Sequence, residues 1–235
     1  MAHFLILAAS SGIGQATTAL LLSQGHQVFT TARDQTKITP DAVCDLTDFD
    51  AVDHVFKQAA ERGAIDGVVN CSGSLWLKPA HLTAKTAYES VISASLTTAF
   101  ATVRSAGKHM SQGGSVVLVS SAAAMEGLAN HEAIAAAKAG VIGLTLSAAA
   151  TYAGMNLRFN AVAPGLVVTP LTSALTGSET SRKYSEAMHA LGRLGQPDDV
   201  ARAIVFLLDP ANNWITGQVL AVDGGLSRVR PKMKV

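Results

Sequence analysis

The chain has 235 residues, of which 49% are hydrophobic and only 15% are charged, with a formal net charge of +1 at pH 7. This composition excludes a disordered chain, which combines low hydrophobicity with high net charge, and leaves no overall field to hold nucleic acid or an anionic membrane. Two cysteines can form only one disulfide, which is too few to stabilise a fold of this size. We therefore expect Cys44 and Cys71 to be free thiols in a reducing cytoplasm.

Short apolar runs alternate with amphipathic stretches along the whole chain. The first run, residues 3–9, is short and lacks a preceding basic stretch, so we interpret it as a buried strand rather than a signal peptide. No stretch is expected to reach the roughly 18 apolar residues of a membrane span. In chain order the pattern predicts strand 4–8, helix 12–24, strands 27–31 and 42–44, helix 48–62, strand 65–70, helix 86–110, strand 115–120, helix 132–153, strand 157–162, helix 198–208 and strand 218–222.

The predicted strands are β-branched and apolar on both faces, which is typical of parallel strands covered by helices on both sides. Strands that alternate with helices predict an α/β fold with a doubly wound sheet, here of seven parallel strands. We find no linker or repeat, so residues 1–235 are predicted to form one domain. Residues 166–194 are rich in Thr, Ser and Gly with weak periodicity, and we expect them to form a lid over an active site.

A glycine-containing turn follows the first strand directly. Residues 8–14 read Ala-Ala-Ser-Ser-Gly-Ile-Gly and lead into the first predicted helix. Glycines at such a turn let the backbone approach a pyrophosphate and direct helix N–H groups at it, as in Rossmann-type dinucleotide sites. An ordinary tight turn is the alternative, because two glycines alone are a weak signal.

Several further motifs resemble the short-chain dehydrogenase/reductase family, close to its 3-ketoacyl-ACP-reductase-like branch. Residues 7–14 resemble the family's T-G-x-x-x-G-x-G, with Leu7 and Ala8 replacing the leading Thr and Gly. The resemblance extends from the first strand to about Gly225. Its other segments are Asn-Cys-Ser-Gly at 70–73, Asn-Ala-Val-Ala-Pro-Gly at 160–165 with Thr169 after it, Gly-Arg-Leu-Gly-Gln-Pro at 192–197, and the motifs at 216–217 and 222–225.

The resemblance implies a dinucleotide site. At the end of the second strand, Ala32 occupies the position of the acidic residue that favours NAD, and Arg33 follows it, so NADP(H) is favoured over NAD(H); a solvated turn residue is the alternative for Arg33. Asp45 resembles the family's adenine contact and Thr169 its nicotinamide contact, while Ala8 is expected to crowd the turn. The residues implied in cofactor binding are Ser10, Gly12, Ile13, Gly14, Arg33, Asp45, Asn70, Gly73, Lys138, Pro164, Gly165 and Thr169.

The implied catalytic site is degenerate. Relatives reduce a carbonyl with a Ser, a Tyr, a Lys and an Asn; here Ser121 and Lys138 match the Ser and the Lys, whereas Ile134 and Ser95 stand in place of the Tyr and the Asn. A positioned acid or base contributes about 10²–10⁴-fold to rate, and Ile has no proton to give. We therefore expect standard ketone reduction to be weak.

A histidine and three tyrosines are candidates to replace the missing tyrosine as the acid. His131 lies seven residues before Lys138, the spacing at which enoyl reductases of the same superfamily carry their Tyr, and a 131/134/138 spacing places the three on one helical face. An exposed histidine beside a helix N-terminus is the alternative. Of the tyrosines, we expect Tyr88 and Tyr152 to be structural and Tyr184 to be a surface residue of the lid.

The remaining predictions concern the substrate and the assembly. We expect Trp76, Leu77, Met188 and His189 to line a largely apolar substrate pocket, and the other histidines show no metal-ligand spacing. Alanine-rich helix faces at 97–106 and 135–153 predict a homo-oligomer, a dimer or tetramer. The basic segment at 226–235 is interpreted as a solvated terminus, with contact to an acidic partner or phosphate as the alternative.

Two classes of function therefore remain. The first is an NADP(H)-linked oxidoreductase of a carbonyl, alcohol or acyl-type substrate with an atypical active site. The second is a non-catalytic nucleotide-binding homologue that acts as a sensor, subunit or scaffold. Enoyl-type or proton-transfer chemistry at His131 is a minor third alternative.

Overall fold

The computed structural model of the protein describes residues 1–230, which form one seven-stranded parallel sheet with helices on both faces. The strand order is β3-β2-β1-β4-β5-β6-β7. The strands are β1 His3–Leu7, β2 Gln27–Ala32, β3 Ala42–Val43, β4 Gly67–Asn70, β5 Gly114–Val119, β6 Leu157–Pro164 and β7 Val219–Val222. The helices are α1 Gly12–Ser23, α2 Phe49–Glu61, α3 Lys85–Ile92, α4 Thr98–His109, α5 Glu132–Tyr152, α6 Ser173–Thr176, α7 Glu179–Met188 and α8 Pro197–Leu208. The predicted doubly wound α/β fold is confirmed.

The two faces of the sheet carry separate apolar cores, because side chains alternate along each strand. In β1, Leu5 and Leu7 pack with residues of α2, α4 and α5, whereas Phe4 and Ile6 pack with Leu21 of α1 and residues of α8. All five residues of β1 and all eight of β6 are buried. This explains the unbroken apolar runs that the sequence shows, since a strand covered on both faces has no polar side.

Two segments differ from their predicted form. The stretch predicted as one helix, 86–110, consists of α3 and α4 joined by a π-helical turn at Ser93–Thr97. The lid segment, residues 166–194, contains α6 and α7, which the polar composition concealed; none of the residues of α7 is buried. Of the basic segment 226–235, Arg230 pairs with Glu126, and residues 231–235 lie outside the described part of the chain.

The long helix α5 carries more apolar surface than we expected. Together with the turn after it, at Glu132–Met155, it is long and apolar enough by composition to cross a membrane, which corrects the expectation that no stretch reaches that length. In the fold, α5 packs along β6 and against α3 and α4, and residues such as Ala137, Val141 and Ala148 are fully or almost fully buried. Nearly half of the most apolar window of this segment is therefore buried in the core of the domain.

The sheet changes its winding direction at its centre. From β1 the chain proceeds outward to β2 and β3, then returns to β4 on the other side of β1 and continues to β7. In open parallel sheets, ligands bind at the carboxyl ends of the strands next to such a switch point. The fold therefore indicates where a site should lie.

Candidate active site

A cleft of about 1420 Å³ opens at the carboxyl ends of the strands. Its walls come from the turns after β1, β2, β4, β5 and β6, from the start of α5 and from the lid segment. Of the predicted site residues, the cleft walls include Ser10, Gly12, Ile13, Arg33, Asp45, Gly73, Ser121, His131, Lys138, Pro164, Gly165 and Thr169. Gly14 and Asn70 lie behind the walls. The fold thus brings together residues that are spread over most of the chain.

The turn after β1 is built around the start of α1. Ser11 is the N-cap, and its Oγ accepts a hydrogen bond from the Gly14 N–H at 3.0 Å. A Cβ at Gly14 would lie 2.7 Å from the Ala8 carbonyl oxygen, and one at Gly12 would lie 2.9 Å from the Thr169 side chain. Both glycines are therefore required by close packing, and the N-terminus of α1 faces the cleft as an anion site would need.

Ala8 has an unusual backbone conformation in this turn. Its backbone has a φ of 58°, in the left-handed region that favours glycine. Its N–H donates to Thr31 Oγ1 at 3.3 Å, and its carbonyl accepts from the Ser11 N–H. The cost of the alanine is thus backbone strain, and the shape of the turn is kept.

Asn70 shapes the wall of the cleft from behind. Its Nδ2 donates to Thr102 Oγ1 at 2.9 Å, and its Oδ1 accepts from the Ser72 N–H at 2.8 Å. One N–H and the oxygen of the amide are therefore used inside the protein, which gives Asn70 a structural role; its role in cofactor binding stays a prediction. Asn70 fixes the turn that presents Ser72 and Gly73 to the cleft.

Lys138 lies at the centre of the site. Its Nζ donates to the Val119 carbonyl at 2.7 Å and to the Ser72 carbonyl at 3.4 Å, and a Cβ at Gly73 would lie 3.3 Å from it. Only 5% of the residue is exposed, and burial lowers its pKa to about 8. The ammonium group therefore lies between the ends of two strands, and two of its three N–H groups donate to their carbonyl groups. The third N–H has no hydrogen-bond partner among the described residues.

The position of the family's Tyr is apolar. Ile134 is buried and packs in a small cluster with Val91, Ala137, Trp76 and Leu77, and it forms part of the cleft wall. Nothing at this position donates a proton.

Two hydroxyl groups stand near the degenerate positions. The Ser121 Oγ accepts from the Ala123 N–H at 3.1 Å and faces the cleft. Ser95, within the π-helical turn, is buried, and its Oγ has no hydrogen-bond partner among the described residues. The position that the resemblance assigns to the family's Asn therefore carries a short, buried hydroxyl side chain here.

His131 lies in the cleft but not on a helical turn. It is the N-cap residue of α5, with φ −106° and ψ 11°, so the predicted 131/134/138 helical face is wrong at its first member. Its Nδ1 is 2.7 Å from the Ala129 carbonyl. This contact orients the ring, which lines the same cleft as Ile134 and Lys138.

The end of the cleft next to β2 carries two cations. Arg33 is exposed, follows the buried Ala32 and lines the cleft together with Lys37, which the sequence analysis missed. The available signal was a second basic residue four positions after Arg33 in the same loop. Asp45 also lines this end; hydrogen bonds from Thr47 lower the pKa of its carboxyl group, which is therefore ionised.

The opposite end of the cleft is largely apolar. Trp76 is fixed by a hydrogen bond from its Nε1 to Thr83 Oγ1 at 3.1 Å, and Lys78 lies over its ring. Leu77 and Met188 line this end, as predicted. Trp76 is not part of the cleft wall and packs against the cluster around Ile134 instead, which corrects its predicted place in the pocket lining. His189 also lines the cleft, as predicted, although it is buried and both of its ring nitrogens are hydrogen-bonded within the protein.

The three tyrosines differ in exposure and in their contacts. Tyr152 packs its ring on Phe159 and over Gly107, which confirms the structural role. Tyr88 is 45% exposed on α3, so its predicted packing role is wrong. Tyr184 is 70% exposed on the lid segment and touches the mouth of the cleft.

Comparison with known proteins gives matches along almost the whole chain. Residues 7–227 match the family described as enoyl-(acyl carrier protein) reductase. The cis-4-hydroxycyclohexanecarboxylate dehydrogenase of Sinomonas cyclohexanicum is 39% identical, covering 95% of this chain and 96% of that protein. The 3-oxoacyl-(acyl-carrier-protein) reductase FabG of Thermotoga maritima is 35% identical, covering 94% and 96%.

Solved structures agree with these relatives. ElxO with NADP bound is 30% identical, with a TM-score of 0.89 over 96% of this chain and 98% of that one. The ligand-free aldohexose dehydrogenase of Thermoplasma acidophilum is also 30% identical, with a TM-score of 0.90 over 100% and 97%. With the strand order, the glycine turn and the Ser121–Lys138 pair in one cleft, these matches show that the chain belongs to the short-chain dehydrogenase/reductase family of oxidoreductases.

Proposed function

We propose that this protein is an NADP(H)-linked oxidoreductase of small apolar carbonyl or alcohol compounds, with an active site that performs standard ketone reduction poorly. The observation that carries the proposal is the cleft centre, where Lys138 and Ser121 are kept while Ile134 makes the adjoining wall apolar. The two buried free thiols, Cys44 and Cys71, support a cytoplasmic location.

The cofactor end supports a dinucleotide with a 2′-phosphate. Arg33 and Lys37 place two cations where β2 ends, and Ala32 leaves that position without a carboxylate to bind a ribose 2′-hydroxyl. The N-terminus of α1 would accept the pyrophosphate. The presence of NADP in the related ElxO structure is consistent with this choice.

The residues at the centre have separate tasks in this proposal. Bound NADPH would supply a hydride. Ser121 would donate a hydrogen bond to the substrate oxygen, and Lys138 would hold the ribose hydroxyls with its remaining N–H. Because Ile134 has no proton, the developing alkoxide lacks its usual donor, and the barrier to reduction stays high.

A second candidate function is favoured by His131. The contact of its Nδ1 with the Ala129 carbonyl fixes the ring at the cleft wall, and an imidazole can donate or accept a proton through its ring nitrogens. A His131-dependent proton transfer, of the enoyl type, would then replace the tyrosine chemistry.

A protein that binds the nucleotide without turnover, and so acts as a sensor or subunit, is the third possibility.

Cofactor titration tests the proposal. We expect NADPH to bind at least tenfold more tightly than NADH, because charged hydrogen bonds are worth about 1.5–3 kcal/mol, and Arg33→Ala to remove most of that difference. Arg228→Ala, an exposed arginine outside the cleft, is the matched control. NADH binding as tightly as NADPH would overturn the preference, and binding of neither would leave a scaffold role.

A further inference from the structure

His189 stands at the point where the lid segment returns to the sheet. It directly follows α7 and is only 4% exposed. Its Nε2 is 3.1 Å from the Leu166 N–H, which can only donate, so Nε2 is the acceptor. The ring proton therefore lies on Nδ1, which donates to the Ser185 carbonyl at 2.6 Å. Both ring nitrogens are committed, each to a different element.

The partner of Nε2 belongs to the loop that follows β6. We call residues 164–169 the nicotinamide loop, because Thr169 is its predicted nicotinamide contact, and most of its members line the cleft. Leu166 also accepts at its carbonyl from the Gly195 N–H, and the Val168 N–H donates to the Gly195 carbonyl. The loop is thus hydrogen-bonded at three points to residues that follow α7, one bond to the His189 side chain and two to the backbone of Gly195.

The imidazole ring has little freedom to move. A Cβ at Gly165 would lie 2.6 Å from His189 Nε2, and one at Gly224 would lie 3.6 Å from His189 Cβ. Nearby, the Leu191 N–H donates to the Gly224 carbonyl. The ring therefore lies between two glycine positions, and its closeness to Gly165 leaves no room for a side chain at that position.

From this geometry we infer that His189 is a positioning residue, which links helix α7 of the lid to the nicotinamide loop and thereby sets the shape of the nicotinamide half of the NADP(H) site. The inference rests on the proposed NADP(H) site. The adenosine half, formed by Arg33, Lys37 and Asp45, lies at the other end of the cleft and shares no contact with His189. The two halves of the cofactor should therefore respond differently to a change at this residue.

Two variants separate the two hydrogen bonds. His189→Asn retains a donor for the Ser185 carbonyl but leaves the Leu166 N–H without its acceptor, whereas His189→Gln provides an oxygen near the position of Nε2. We expect His189→Asn to weaken NADPH binding by roughly tenfold, since an unmade buried hydrogen bond has a cost of that order. His189→Gln should recover most of the loss.

The discriminating ligand is adenosine 2′,5′-bisphosphate, which occupies only the adenosine half. Its affinity should stay within about twofold in both variants, while His81→Asn, at an exposed position outside the cleft, should change neither ligand. Equal losses for NADPH and for the bisphosphate would show a general structural effect and overturn the inference, as would unchanged NADPH binding by a folded His189→Asn protein. If the wild-type chain binds neither ligand, the proposed function itself fails.

A measurement on the unaltered protein covers the case in which His189→Asn does not fold. Amide hydrogen exchange in residues 165–168 should slow when NADPH binds and stay unchanged with adenosine 2′,5′-bisphosphate. Slowing by both ligands alike, or by neither, would contradict a link between this loop and the nicotinamide half.

Discussion

The strained backbone at Ala8 gives a direct test at the scale of one residue. The left-handed conformation costs an L-residue roughly 1–2 kcal/mol in the folded state. A glycine avoids this cost, but it loses about 0.5–1 kcal/mol of stability because its unfolded chain has more conformational freedom. With its φ of 58°, Ala8→Gly should therefore raise the free energy of unfolding by about 0.5–1 kcal/mol. Urea denaturation of both proteins measures this.

A second left-handed residue serves as the control for that measurement. Asn156 has a φ of 54°, but asparagine tolerates this conformation better than alanine does, so Asn156→Gly should gain less. An Ala8→Gly protein that is no more stable than the wild type would show that the turn has relaxed around the alanine.

The apolar wall at Ile134 predicts what a restored acid would do. A tyrosine there, combined with Ser95→Asn, should raise NADPH-dependent reduction of small ketones such as cyclohexanone by about 10²–10⁴-fold, the usual contribution of a positioned acid. The added volume should cost about 1–3 kcal/mol of stability, because the Ile134 cluster is buried. Initial rates and thermal melts check the two effects separately.

The matched control keeps the ring and removes the hydroxyl. Ile134→Phe with Ser95→Asn should fill the same space without any gain in rate. A wild-type protein that already reduces ketones as fast as the tyrosine variant would end the idea that residue 134 limits the chemistry.

Which residues the sequence could identify depends on what determines their position. Gly12 and Ser121 follow strand ends at motif positions, and the parallel sheet brings those ends to one edge. Lys138 lies on α5 at the position of the family's motif, so the meeting of all three in the cleft was predictable. Asn70 was assigned to the cofactor from the family motif at 70–73, and His189 to the substrate pocket from its place in the lid segment. Their actual partners, Thr102 for one and the backbone of Ser185 and Leu166 for the other, depend on tertiary packing that no local pattern records.

At the scale of elements, the contact between α2 and α4 depends on one carboxylate. Asp53 of α2 accepts hydrogen bonds from Arg104, Ser105 and Lys108 of α4. Burial raises the pKa of the Asp53 carboxyl group, but the hydrogen bonds from Lys108, Ser105 and Arg104 outweigh it and lower the pKa to about 2. The ionised group thus connects the two helices that cover one face of the sheet.

The lowered pKa of Asp53 determines how the stability of the protein changes with pH. A carboxyl group whose pKa is lowered on folding contributes its full stabilisation above its unfolded value, 3.8, and loses it as pH falls toward about 2. Asp53→Asn should therefore cost about 1–2 kcal/mol at pH 7, and the difference from wild type should shrink between pH 4 and pH 2. Denaturant titrations at several pH values measure it, with the exposed Asp50→Asn as control.

Element boundaries were predictable where one physical signal dominates. The apolar pattern of α5 and α8 gave both helices almost to the residue, since each buries one face on the sheet. The π-helical turn at Ser93–Thr97 left no such mark, because one extra residue in a turn hardly alters the apolar spacing. The lid helix α7 was missed because it buries none of its residues.

At the scale of the whole molecule, one outer helix face is not covered by any part of residues 1–230. On α5, Ala139, Gly143, Leu146 and Ala150 are exposed, and Leu146 is 52% accessible. A Cβ at Gly143 would meet no atom within 4 Å, so the chain's own packing does not require a glycine there. Phe100 on the neighbouring α4 is also 49% exposed. An uncharged, small-residue surface next to exposed apolar rings is typical of a close contact between copies.

This surface predicts a homo-oligomer formed through α4 and α5. Light scattering after size exclusion should give two or four times the chain mass of 24.2 kDa. Leu146→Glu should lower that mass, since a buried unpaired charge at a contact between copies is costly, while Leu82→Glu, on an exposed turn away from these helices, should not. A monomeric wild type would refute the contact, and an oligomer that tolerates Leu146→Glu would place the interface on another face of the molecule.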